Sequence, residues 1–317
     1  MIDIIVPAYN SYDTIDIPLL SLSTQSIAKK LNVYIVNDGS EKSYANYVRF
    51  YKNFFNSIKE LKIKANKGSG FARKYGLKHS NAEFIVFLDS DDCLYYPFAI
   101  EKLYNQINDN KSDIVISNVL EEMENNNFIV KNYPIEYLHG KIYRRSYLKK
   151  NNINFDDSRL MEDILFNKTI FLQNPKITNL DSITYVWKNS KNSLTRKENF
   201  IFETIGIYIE NNLCAIKNAL KGTPNKEKIS ECIYECITYF YLCYICSPEK
   251  KYFTNAFKLF NDLIDLYEKF PIDEFKKKYV FSQNFNDLIN YYYIDILKIL
   301  DNKTSLNELI EMARYTI

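Results

Sequence analysis

Three carboxylates, Asp89, Asp91 and Asp92, stand together directly after the apolar run Phe84-Ile85-Val86-Phe87-Leu88. Carboxylates this crowded repel one another unless a cation joins them. Hard oxygen ligands suit Mg²⁺ or Mn²⁺, which bind through one or two carboxylates and keep room for water and substrate phosphate. The chemistry on offer is a metal–diphosphate site; the plainer alternative is a polar turn capping a helix that follows. A second acidic pair, Glu162-Asp163, can supply a general base, against the plainer reading of favourable charge in the first turn of a helix over Met161 to Leu172. Between them lies Asn66-Lys67-Gly68-Ser69-Gly70, whose glycines let backbone approach a ligand closely. One turn on, Arg73 can present its fork to a phosphate or a base.

The elements that must position these groups alternate. Phe84 to Leu88 is short and rich in β-formers, which predicts a buried parallel strand. Ile2 to Val6, Leu31 to Asn37 and Leu61 to Ala65 predict three more. Helices over Asp13 to Ser26, Tyr44 to Ile58 and Ser69 to His79 connect them. Right-handed crossovers then bring the strand ends at Pro7, Asp38, Asn66 and Asp89 to one rim, where ligands of open α/β sheets bind. Helices over Phe98 to Ile107 and Tyr143 to Lys150, a strand over Asp113 to Val119 and a strand pair between Ile177 and Trp187 complete an α/β domain spanning residues 1–199. Beyond it the period becomes helical, as in Phe253, Phe257, Phe260, Ile264 and Tyr267, which predicts an all-helical domain over residues 200–317.

Composition narrows the function classes. Lys plus Arg number 41 against 39 Asp plus Glu, so no basic surface calls for nucleic acid. The start, MIDIIVPAYN, reads as a first strand rather than a signal peptide, and no apolar run has transmembrane length. Six scattered cysteines do not form a secreted disulfide framework, which places the protein in the cytoplasm. Cys232, Cys236, Cys243 and Cys246 form an apolar helical stripe and read as core. Neither the G-x-x-x-x-G-K-[ST] phosphate loop nor a G-x-G-x-x-G fingerprint is present.

In this order and spacing, Val6 to Asn10 (VPAYN), Val36 to Ser40 (VNDGS), Asn66 to Gly76 (NKGSGFARKYG) and Phe87 to Asp92 (FLDSDD) resemble the inverting nucleotide-sugar enzymes called glycosyltransferase family two. The stretch His139 to Leu148 is similar to a segment of its bacterial capsule and cell-wall members, in which tryptophan is usual at the first position. His139 departs from that pattern, and simple packing is one reading of it. Phe155-Asp156-Asp157 followed by Met161-Glu162-Asp163 resembles the family's catalytic segment.

The resemblance implies a GT-A fold, a Rossmann-like and mostly parallel sheet flanked by helices. It makes Tyr9 and Asp38 binders of the base and Arg73 a nucleotide contact. Pro7, Asn66, Gly68 and Ser90 would line the same site. Asp89 becomes a ribose contact, and Asp91 with Asp92 the holders of Mn²⁺ or Mg²⁺. Asp163 becomes the general base, with Glu162 as fallback, while Lys188, Ser193, Thr195 and Arg196 would close over the diphosphate. The implied donor is a UDP-sugar, and the implied acceptor a glycan, a lipid-linked glycan or a protein, with peripheral membrane association. The absence of Q-x-x-R-W counts against a processive synthase. A sugar nucleotidyltransferase and a non-catalytic sugar-nucleotide-binding or scaffolding protein are the alternatives.

Overall fold

The computed structural model describes residues 1–123, 127–133, 135–156, 160–189, 200–222, 224–273, 276–278, 280–284 and 304–314. The chain divides into two compact units, one of residues 1–170 with 175–192 and the other of residues 171–174 with 193–317.

The first unit is built on a nine-stranded sheet. Its strands are β1 (Ile2–Ala8), β2 (Leu31–Asp38), β3 (Ser57–Ile63), β4 (Phe84–Phe87), β5 (Cys93–Leu94), β6 (Ile114–Glu122), β7 (Phe128–Lys131), β8 (Lys141–Arg144) and β9 (Ile177–Trp187). They run in the order β3-β2-β1-β4-β8-β6-β9-β5, with β7 paired to β6. The first four are parallel, in a register that sets Val6 beside Ile35 and Ile5 beside Phe87. Their carboxyl ends therefore reach one rim. Beyond β4 the sheet is mixed, because β8 runs antiparallel to both its neighbours.

Both faces of the parallel half are covered, which is why β1 and β2 are apolar almost without a break. Ile4 and Val6 pack with Leu19 and Leu22 of α1 (Asp16–Ser23) and Leu103 of α4 (Ala99–Asp109). On the other face Ile5 and Phe87 pack with Ala72 of α3 (Ser69–His79), Leu148 of α5 (Arg145–Lys150) and Phe166 of α6 (Glu162–Leu172). A short α2 (Ala45–Tyr51) precedes β3. Away from the rim, buried Asp3 accepts from Arg145 Nη2 at 2.9 Å and from the Ala82 amide at 2.6 Å, anchoring α5 to the first strand.

Several boundaries differ from those predicted. β3 starts earlier than Leu61, and the helix expected over Tyr44 to Ile58 ends at Tyr51. As an edge strand β3 buries little, so its polar alternation is hard to tell from a helix surface. Lys141–Arg144 is a strand, where a helix from Tyr143 was predicted, and only Arg145–Lys150 is helical. Two β-formers, Ile142 and Tyr143, between basic ends are too few to mark a strand, and pairing to β4 and β6 decides the matter. The strand pair predicted between Ile177 and Trp187 is one eleven-residue strand. Its polar middle resembles a turn, but a register shift opposite Ser117 to Val119 keeps it in the sheet.

In the second unit, α7 (Ile205–Leu220), α8 (Lys226–Cys246) and α9 (Ala256–Lys269) bury aromatic and cysteine side chains together. Phe240 stacks on Phe260 at 4.3 Å and meets Phe253 edge-on at 5.3 Å. Cys232, Cys236, Cys243 and Cys246 are buried and form no disulfide, as core thiols should. The segment around Tyr293 lies outside the described residues.

Candidate active site

Loops leaving the parallel strands are tied to one another before they meet any ligand. The Asn10 amide donates to Ser40 Oγ at 3.0 Å and the Ser11 amide to Tyr44 Oη at 2.9 Å, joining the exits of β1 and β2. Tyr9 is left 52% exposed on the rim. Asp38, at the end of β2, is buried, and its carboxylate accepts from the backbone amides of Lys67 and Gly68 at 2.8–3.1 Å. It straps the glycine loop to the sheet. Gly39 permits this approach: its φ is +73°, and a Cβ there would lie 2.5 Å from the Asn66 nitrogen.

The glycine loop opens α3, which carries Arg73 inward to 5% exposure. Arg73 does not present a free fork. Nη2 donates to Asp89 Oδ1 at 2.6 Å and Nη1 to Glu162 Oε1 at 2.5 Å, and Ser69 Oγ donates to the same Glu162 oxygen at 2.5 Å. A buried guanidinium needs counter-charge, and two carboxylates far apart in sequence supply it. Burial opposes the charge of both partners, yet Asp89 and Glu162 keep Arg73 firmly protonated, and Arg73 with His139 holds Asp89 well below the usual carboxylate range.

The acidic turn after β4 is fixed from the far side of the sheet. Tyr185 Oη donates to Asp92 Oδ2 at 2.6 Å and accepts from the Asp89 amide at 3.3 Å, while the Lys188 amide donates to Asp92 Oδ1 at 2.8 Å. Ser90 Oγ donates to Ser11 Oγ at 2.8 Å, linking this turn to the exit of β1. Burial, then the charges of Asp89 and Asp91, raise the Asp92 carboxyl well above its ordinary range. Burial and like charges both disfavour the ionised form of a carboxyl group. Ligand atoms of Asp89, Asp92 and His139 all lie within 4.8 Å of one another. Two oxygens and an imidazole nitrogen at that spacing fit a divalent ion. Of the pair predicted to hold it, Asp92 belongs to this group; Asp91, half-buried, does not.

Glu162 and Asp163 begin α6, and the residue before them, Met161, has φ +56°. A left-handed non-glycine residue is costly, and here it turns the chain so that Glu162 reaches Arg73. Asp163 remains partly accessible. Burial and the neighbouring charge of Glu162, against the pull of Arg73, push its carboxyl up to about 7. Nearby Lys141, 2% exposed on β8, is pushed by burial down to about 7 against Asp163 and Glu136, and its Nζ donates to the Tyr137 carbonyl.

Of the remaining predicted residues, Pro7 is buried within β1 beside Val36, and Asn66 and Gly68 lie in the strapped loop. Lys188 meets Asp92 through its backbone. Ser193, Thr195 and Arg196 lie outside the described residues. Sequence reasoning missed Tyr185, His139 and Lys141 as parts of the site. Only His139 carried a signal, by standing where tryptophan was expected.

A profile of glycosyl transferase family 2 matches residues 3–169. The chain belongs to that family. Among curated relatives of this family 2 chain, the cholesterol galactosyltransferase of Borreliella burgdorferi is 23% identical across 99% of the chain and 86% of that protein. The poly(ribitol-phosphate) beta-N-acetylglucosaminyltransferase TarS of Staphylococcus aureus is 28% identical, but over 59% of the chain and only 35% of its own length. The fold is likewise shared: residues 1–349 of TarS, solved with UDP-GlcNAc, superpose with a TM-score of 0.71 at 19% identity, covering 92% of this chain and 91% of that one. A mannosyltransferase of Pyrobaculum calidifontis, solved with GDP-Man and Mn²⁺, gives 0.58 at 13% identity over 99% of this chain and 86% of its own. These likenesses agree with the predicted GT-A type fold. No helix among the described residues is long and apolar enough to cross a membrane.

Proposed function

We propose that this family 2 enzyme is an inverting, metal-dependent glycosyltransferase that moves a sugar from a UDP-sugar to a hydroxyl of a bacterial surface polysaccharide or glycoconjugate. The observation that carries this reading is the Asp89–Arg73–Glu162 bridge, because it couples the acidic turn at the strand ends to the start of α6. One end of that bridge suits the donor. Tyr9 offers a ring for the uracil to stack on, the strapped loop from Asn66 to Gly68 approaches the nucleotide, and Asp89 Oδ2 is left for the ribose or an ion. When bound, Mn²⁺ or Mg²⁺ would offset the charge of the departing diphosphate.

The other end suits the acceptor. Asp163 takes the proton of the acceptor hydroxyl as its oxygen bonds to the anomeric carbon, and the bond from that carbon to the diphosphate oxygen breaks on the opposite face. One carboxylate is enough, since a diphosphate leaves without an acid. Glu162 is occupied by Arg73 and Ser69, which favours Asp163 as the base. We assign donor chemistry to residues 1–199 and acceptor recognition to residues 200–317. None of the six cysteines forms a disulfide, which suits a reducing compartment, so we place the activity in the cytoplasm, at the membrane face where the acceptor is lipid-linked.

The test is Asp163→Asn assayed with a panel of UDP-sugars. UDP affinity by calorimetry should stay near wild type while transfer falls by about 10²–10⁴-fold. Normal turnover in this variant would overturn the base assignment, and a panel with no measurable affinity would overturn the donor class.

A further inference from the structure

We infer that His139 is a ligand of the divalent ion, so that this chain holds its metal through one imidazole nitrogen and the carboxylates of Asp92 and Asp89. The inference rests on the metal-dependent reading above and goes beyond it in naming a nitrogen donor. Carboxylate clusters alone do not define a site, but the histidine is an independent observation. It is 8% exposed, Nδ1 has no hydrogen-bond partner, and Nε2 stands 3.6 Å from Asp89 Oδ2 and 3.8 Å from Asp92 Oδ2. Both separations are too long for hydrogen bonds. Ligands about 2.1 Å from a shared ion stand roughly 3 to 4 Å apart, so an ion among the three atoms accounts for the spacing.

The protein also holds the ring still. Gly140 has φ +65°, and a Cβ there would come within 2.7 Å of Ser117 Oγ, so only glycine fits the backbone beside the histidine. The Gly140 carbonyl accepts from Ser117 Oγ at 2.9 Å. The imidazole stacks on Tyr185 at 4.7 Å and 21°, and Tyr185 in turn donates to Asp92. Aromatic stacking and the carboxylate ligand are thus set by one tyrosine. Asp89 Oδ1 is taken by Arg73, which leaves Oδ2 for the ion; Asp92 Oδ2 accepts from Tyr185 and retains a lone pair.

A nitrogen ligand changes which metal is preferred. Imidazole suits the transition ions, whereas Mg²⁺ favours an all-oxygen shell. The protein with UDP should therefore bind Mn²⁺ more tightly than Mg²⁺, and His139→Phe, which keeps a ring against Tyr185, should weaken Mn²⁺ about 10–100-fold or more and Mg²⁺ less.

The deciding measurement is pulsed electron paramagnetic resonance of Mn²⁺ bound to the full chain with UDP. The sequence has only two histidines, His79 and His139, so ¹⁵N-histidine labelling assigns any nitrogen coupling almost by itself. Directly bound ¹⁴N coupling is expected, replaced by the ¹⁵N pattern on labelling, retained in His79→Gln and absent in His139→Phe. Should His139→Phe fail to fold, the labelled wild type compared with His79→Gln still decides. Mn²⁺ bound with UDP but without nitrogen coupling would overturn this inference and leave the metal-dependent reading intact. No Mn²⁺–UDP complex at all would overturn both.

Discussion

With Asp163 as the proposed base, a carboxyl pushed up to about 7 leaves a signature in the pH dependence of transfer. An ordinary aspartate, near about 3.9, would be ionised throughout the neutral range and give a flat profile. With Asp163 at about 7, the ionised fraction is about one half at pH 7 and about one tenth at pH 6, so the rate should fall about tenfold per pH unit below that. The assay is UDP release under single-turnover conditions at limiting acceptor, between about pH 5.5 and 8, so that product release does not mask the limb. Glu162 supplies the second largest upward push on Asp163, after burial. In Glu162→Gln, which still accepts from Arg73 and Ser69, the midpoint should move to lower pH. The stability sign is opposite to the activity sign. Because the folded-state value is raised, the native protein is favoured while Asp163 is protonated and loses that stability as pH rises from the unfolded value through about 7. Asp163→Asn should then unfold at a higher temperature than wild type at pH 8. A flat wild-type profile, or a midpoint that stays in place in Glu162→Gln, would refute the argument.

Arg73→Met leaves Asp89 and Glu162 close without their shared cation, and should lower stability by about 3–5 kcal/mol in urea titration; a loss below about 1 kcal/mol would mean the bridge is solvated. Gly39→Ala sets a methyl against the Asn66 backbone, so UDP affinity by calorimetry should drop well before the melting temperature does. Asp92→Ala should abolish the dependence of UDP binding on Mn²⁺ along with most of the affinity, and equal binding in chelator and in Mn²⁺ would remove the metal from the reaction. In the helical unit, Phe240→Ala removes a fully buried ring and should cost about 3–5 kcal/mol of that unit's stability, read by chemical unfolding.

β1, β2 and β4 were legible because they are buried on both faces and carry their signal in composition. Ser69–His79 was legible because the turn ending at Gly68 marks where it begins. β8 was not, since Lys141 and Arg144 take their places through a buried charge and a bridge to Glu83 rather than through propensity. The site divides similarly. Acidic residues at a strand end announce themselves, but the partner each one chooses does not. Arg73 reads equally well as a phosphate contact until Glu162, 89 positions away, is seen beside it. Tyr185 and His139 gain meaning only from Asp92, to which no local pattern connects them.

One guanidinium answering to two carboxylates also limits how this sequence can drift. A change at Asp89 strands Arg73 against Glu162 alone, and a change at Glu162 leaves it leaning on Asp89. Replacing Arg73 by lysine keeps the charge but loses the planar fork that spans both. Each single step passes through an impaired protein, while a simultaneous exchange at all three positions need not. Positions 73, 89 and 162 should accordingly behave as one heritable unit. A library randomised at these three codons together should return functional combinations that no single substitution predicts.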